Sequence, residues 1–238
     1  MMFLYSPMEA YQVIPVFGPV NDVAIFLLLA FGILLILGLS LSKGQTLVPS
    51  NWYLAIEAAH TTVFTMVRTY IGPAYGYWLP FLYTLFFGLF FSNVFGLLPY
   101  STTPTTHLII TFNLAVFLLV TAIANGFRRY GYAMLGLFIP SGTPLALVPM
   151  LVVVEMLAYV TRIIALGIRI SVNMITGHTL VKVIGGFLWE AFEGGTNILI
   201  LLLPMVLLTV FLVLEILIAY LQAYIYTFIC MITIKDFL

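Results

Sequence analysis

Three charged side chains recur at seven-residue intervals in an otherwise apolar stretch, Glu155, Arg162 and Arg169 in EMLAYVTRIIALGIRISVNM. On a helix that spacing lines them along one stripe that drifts slightly around the axis. An ionisable group at the centre of a bilayer costs at least about 2.5 kcal/mol by insertion scales, so a membrane helix that keeps three has a use for them. Four more polar or titratable groups lie further along: His178, Glu215, Gln222 and Asp236. If the last part of the chain is an antiparallel hairpin turning near Gly195, residues equally far from the turn meet at one depth. Arg169 then lies opposite Gln222, His178 opposite Glu215, and Glu155 opposite Asp236.

The axial positions suggest a chemistry. His178 is roughly 13 Å from Arg169 along a helix in one direction, and Glu155 roughly 21 Å in the other. An arginine does not release its proton at physiological pH. Titratable groups on both sides of a permanent cation form a proton path with a block in its middle. Protons pass such a block only when a carboxylate on another, moving protein carries them past it. Lysine would serve less well, because it neutralises when buried. Asn173, one turn beyond Arg169, can hold the guanidinium or a water. Ala165 and Gly167 are expected to leave room for a partner helix beside Arg169. Arg162 is assigned a supporting role. His178 and Glu215 resemble half of a zinc site, but two ligands are too few to predict one. No metal and no cofactor is expected.

These residues must be positioned by a membrane scaffold. The chain has 238 residues, of which 63% are hydrophobic and 7% charged, against about 25% charged in ordinary globular domains. Net charge is zero, which argues against a nucleic-acid partner. The single Cys230 excludes a disulfide framework. Residues 1–20 hold Glu9 and no basic residue, unlike a secretory signal or an Arg-rich transit peptide. The expected fold is an all-α integral membrane protein in a single membrane domain over 1–238. It should have about five membrane segments and one amphipathic interfacial helix.

Residues 23–41 read as a first span and 51–70 as an amphipathic helix on the inner face. In the latter, Glu57, His60, Thr61, Thr65 and Arg68 share one side and Trp52, Ile56, Val63, Met66, Val67 and Tyr70 the other. His60 reads as a solvated residue. Residues 78–127 form a helical hairpin, in which Asn93 of SNVFGLLPY is expected to pack against a neighbouring helix. Prolines 140, 144 and 149 with Gly142 mark an irregular re-entry. Residues 150–234 form a long hairpin joined through WEAFEGGTN. Helices of about 40 residues would extend about 60 Å, twice the hydrocarbon core, so they must tilt, curve or break. Lys43, Arg128, Arg129 and Lys235 fall on one side of this arrangement, the inner face by positive-inside counting. Glu9, Asp22, Glu190 and Glu193 fall on the outer side. Lys182 lies towards the outer half of its helix against that pattern, and snorkelling is the only account it receives.

The sequence ALGIRISVNM followed by GHTLVK, with LEILIAYLQAYIYTFI downstream and SNVFGLLPY upstream, resembles subunit a of the F-type ATP synthase over nearly the whole chain. The resemblance implies that Arg169 is the essential arginine facing the carboxylates of the rotating c-subunit ring, with Gln222 as its neighbour. It implies that His178 and Glu215 form the outer half-channel pair, in the arrangement of mitochondrial members, and that Glu155 and Asp236 serve the inner half-channel. The implied partners are the c-ring, the peripheral-stalk and other membrane subunits, the lipid bilayer and protons. The implied location is the mitochondrial inner membrane, with a bacterial plasma membrane as the alternative, and nucleotide chemistry lies on other subunits. A stand-alone secondary transporter would require paired repeats and matching broken helices in two halves, and none is found. A structural anchor of a respiratory complex would use the buried charges only as helix glue.

Overall fold

The computed structural model describes residues 15–17, 20–43, 51–72, 75–97, 103–139, 144, 147–195 and 198–236. Apart from a short antiparallel pairing of Pro15–Phe17 with Val20–Asn21, the described chain is helical. Its helices are α1 (Asp22–Lys43), α2 (Asn51–Ile71), α3 (Tyr75–Phe95), α4 (Leu108–Tyr130), a one-turn α5 (Met134–Leu137), α6 (Val148–Glu193) and α7 (Ile198–Asp236). Residues 76–95, 108–133, 148–193 and 202–236 are long and apolar enough to cross a membrane, and α1 adds a shorter apolar stretch, Asp22–Ile36. Together they account for the five apolar segments of the sequence. Half of the re-entry read between Phe138 and Pro149, including Pro140 and Gly142, lies outside the described residues. Pro149 opens α6 at its first turn, where the missing N–H costs nothing.

The long hairpin is present, and its turn is tighter than the polar WEAFEGGTN join implied. Residues Glu190–Glu193 still belong to α6, and Trp189 donates its indole N–H to Glu193 Oε1 at 3.0 Å. The chain leaves the helix at Gly194 and Gly195, the latter with φ +64°, a conformation that favours glycine.

The core is built around α3 and α7. Leu82, Leu85, Phe86, Phe87 and Leu89 of α3 meet Ala223, Tyr226, Cys230, Met231 and Ile234 of α7. Val63, Val67 and Ile71 of α2 close this cluster. The apolar face of the amphipathic helix is therefore buried against its own chain. Its other face carries Glu57, Thr61, Thr62, Thr65, Arg68 and Thr69, all exposed. The threonine hydroxyls there donate to carbonyls three or four residues back, as they do where water is scarce. His60 departs from its expected place. It is half-buried with its ring 5.1 Å from that of Tyr83, because its position borders the buried stripe.

Candidate proton-path site

Helix α6 has two unlike faces. One packs on α4: Ile163, Leu166, Gly167, Ile170, Ser171 and Met174 are buried, and the Ser171 hydroxyl donates to the Thr106 carbonyl at 2.9 Å. An added Cβ at Gly167 would lie 2.9 Å from the Ala115 Cβ and 3.0 Å from the Thr111 carbonyl oxygen. Gly167 thus lets α6 approach α4 closely. It does not clear a path to Arg169, as the sequence suggested, because two residues turn a helix through about 200°. The other face carries Arg162, Ala165, Ile168, Arg169 and Val172, all exposed. No other segment of the described chain covers it. Asn173, half-buried, sits at its margin.

The pair expected from the hairpin geometry is found on the outer side. His178 Nδ1 lies 3.0 Å from Glu215 Oε1, with the two side chains 11% and 5% exposed. These values matter because Leu214, Ile216 and Leu217 beside Glu215 are 46–57% exposed. The carboxyl alone is turned inwards from an apolar row. Glycine makes the room on two sides. A Cβ at Gly177 would stand 2.8 Å from Glu215 Oε1, and one at Gly96 would overlap the Thr103 methyl and stand 2.8 Å from His178 Nε2. Among the described residues no third His, Cys, Asp or Glu joins the pair.

The structure adds groups that sequence reasoning missed. Asn93, one turn before Gly96 on α3, is fully buried. Neither atom of its amide has a hydrogen-bond partner among the described residues, nor do His178 Nε2 and Thr105 Oγ1. Asn93 is thus packed inside the bundle, as expected, with its amide unpaired among the described residues. A buried amide without a partner is unusual enough to call for one. The signal available in the sequence was the spacing of Asn93 and Gly96 by one helical turn, and glycine immediately before His178.

Arg169 and Gln222 share a depth without sharing a face. Gln222 is buried and its Oε1, the only side-chain acceptor it could offer a guanidinium, has no hydrogen-bond partner among the described residues. Arg169 is exposed. Nine residues rotate a helix by a net half-turn, about 180°, so Arg169 points away from the side on which His178 meets α7. Seven residues return almost to the start, so Gln222 stays on the stripe of Glu215. Tyr226 follows one turn later, fully buried, its hydroxyl also without a hydrogen-bond partner.

On the inner side, Glu155, Arg162 and Asp236 are all exposed, and the charges of Glu155, Arg162 and Lys235 all act on Asp236. The neighbouring Tyr159 is buried. The two ends of the hairpin therefore differ: a dry pair at one end and an open cluster at the other.

A profile described as "ATP synthase A chain" matches residues 23–235. The chain belongs to the ATP synthase A chain family. Among its relatives, ATP synthase subunit a of Chondrus crispus is 35% identical over 243 residues, covering 98% of this chain and 96% of that protein. The protein of the same name from Mycosarcoma maydis is 33% identical over 245 residues, covering 98% and 96%. That from Pelagibacter ubique is 36% identical over 218 residues, covering 91% and 86%. Family membership makes the chain a multi-pass, proton-translocating membrane subunit of an F-type ATP synthase.

Proposed function

We propose that the chain is the stator half of a rotary proton motor, with two offset half-channels separated by Arg169. Glu215 and His178 take protons from the outer face and pass them, past the amide of Asn93 and the amide oxygen of Gln222, to a carboxylate on a c-subunit ring. Arg169 attracts that carboxylate once it has lost its proton, and bars direct passage because its own proton is fixed. After nearly a full revolution the carboxylate releases its proton to Glu155 and Asp236. Arg162 supports these two, and Asn173 orients the guanidinium or a water beside it.

The observation that carries this reading is the exposed face of α6. Among the described residues no carboxylate pairs with this arginine, which stands among Ala165, Ile168 and Val172 on an exposed face, so the counter-charge belongs to a second protein. Small and aliphatic neighbours allow that protein's helix to come close. The whole chain acts as one membrane domain, binds no nucleotide, and sits in the mitochondrial inner membrane beside peripheral-stalk subunits. The test is Arg169→Ala in the assembled complex. Synthesis of ATP driven by a proton gradient is lost while the complex still assembles. Synthesis at the native rate would overturn the proposal.

A further inference from the structure

A cation close to the His178–Glu215 pair, Lys182, is not used by the proposed proton path. Lys182 follows His178 by one helical turn, at the i+4 position where side chains of a helix are neighbours, and α6 is continuous through both. It is exposed, it stands towards the outer end of the pair, and it is within Coulombic range of His178. A charge in a membrane helix is costly, and the inner-face location that would explain a lysine by lipid charge does not apply to this position.

The neighbouring pair explains what a cation there would do. An imidazole nitrogen 3.0 Å from a carboxylate oxygen supplies two of the nitrogen and oxygen ligands that zinc and similar divalent ions take. The i+4 position is where a helix would supply the third ligand, as two histidines so spaced do in metal-binding helices. This chain has a lysine at that position instead. We propose that Lys182 is a specificity-determining residue that excludes metal cations from the His178–Glu215 pair while protons pass. This inference rests on the reading of that pair as the outer half-channel.

The discrimination follows from how the two kinds of charge move. A metal ion brings its whole charge to within about 2.0–2.2 Å of its nitrogen and oxygen ligands, one helical turn from a fixed positive charge in a medium of low dielectric. A proton reaches the pair by exchange along hydrogen bonds, and no added ion has to occupy the space. Each transfer ends with the charge on His178 or handed on to Glu215, so the repulsion is brief. Arginine at 182 would keep the barrier, whereas an uncharged side chain would remove it.

The experiment uses the assembled ATP synthase complex in liposomes, with Zn2+ applied on the face at which His178 lies. Proton transport in each variant is normalised to its own metal-free rate. Lys182→Met should lower the half-inhibiting Zn2+ concentration by at least about tenfold, the change that 1.4 kcal/mol of lost repulsion gives. Lys182→Arg should leave it at the native value. Equal sensitivity of the native and Lys182→Met complexes overturns the inference, as does equal sensitisation by methionine and arginine. If Lys182→Met fails to assemble, Lys182→Gln replaces it, with zinc bound per detergent-solubilised complex measured by equilibrium dialysis; unchanged zinc binding again overturns it. Glu215→Gln separates the two claims. Native proton transport in that variant removes the half-channel reading itself, whereas slowed transport with unchanged zinc sensitivity at position 182 removes only the role of Lys182.

Discussion

The outer and inner ends of the α6–α7 hairpin carry the same kinds of residue and treat them in opposite ways. At the outer end His178 and Glu215 are enclosed by glycine contacts from α3 and α6. At the inner end Glu155, Arg162 and Asp236 are all exposed. An enclosed pair needs its own walls, since a buried carboxyl without room or partners is costly. An exposed cluster can borrow water or a partner protein. The His178–Glu215 pair is therefore enclosed within this chain, whereas the Glu155–Arg162–Asp236 cluster lies open to whatever surrounds it.

The largest effect expected from breaking this comparison lies at Glu215. Glu215→Gln keeps the shape and removes the exchangeable carboxyl. Proton-driven ATP synthesis should fall by about tenfold or more, equivalent to at least 1.4 kcal/mol on the transfer step. Asp236→Asn should cost less, because the neighbouring Glu155 and water can stand in for an exposed carboxyl. Rates for the two variants measured in the same liposomes decide the point, and equal losses would remove the asymmetry.

Next come the glycines that wall the outer pair. Gly177→Ala introduces a carbon 2.8 Å from Glu215 Oε1, so the carboxylate must move. We expect several-fold slower proton transport with normal assembly. Gly167→Leu, by contrast, drives a side chain into the Thr111 carbonyl and Ala115. Overpacking of this kind costs about 1–3 kcal/mol or more, so its readout is loss of the folded subunit from membranes, not a slower rate. Finding the two phenotypes exchanged would mean that the faces of α6 are wrongly assigned. The smallest effect is expected from Ser171→Ala. Losing its 2.9 Å hydrogen bond to the Thr106 carbonyl should cost about 1 kcal/mol, visible as a lower melting temperature of the detergent-solubilised complex with transport little changed.

How much of this is legible in the sequence depends on which coordinate of a helix is asked for. Depth is legible. Apolar runs mark the spans, and a rise of about 1.5 Å per residue from a glycine turn fixes which residues of α6 and α7 share a level. Counting outwards from Gly195 is enough to match His178 to Glu215. Rotation about the axis is not legible, because it depends on which neighbour each face packs against. Gly167 reads as part of the Arg169 approach and belongs to the α4 contact. Asn93 reads as helix packing and is a buried amide without a hydrogen-bond partner among the described residues. His60 reads as solvated and lies against Tyr83. Arg169 and Gln222 match by level and are divided by face. The sequence alone determined that this is a helical membrane protein with charges at chosen depths. Only the tertiary structure decided which of those charges are buried and which are exposed. Depth is a local count along one chain, whereas orientation is settled by packing between helices distant in sequence.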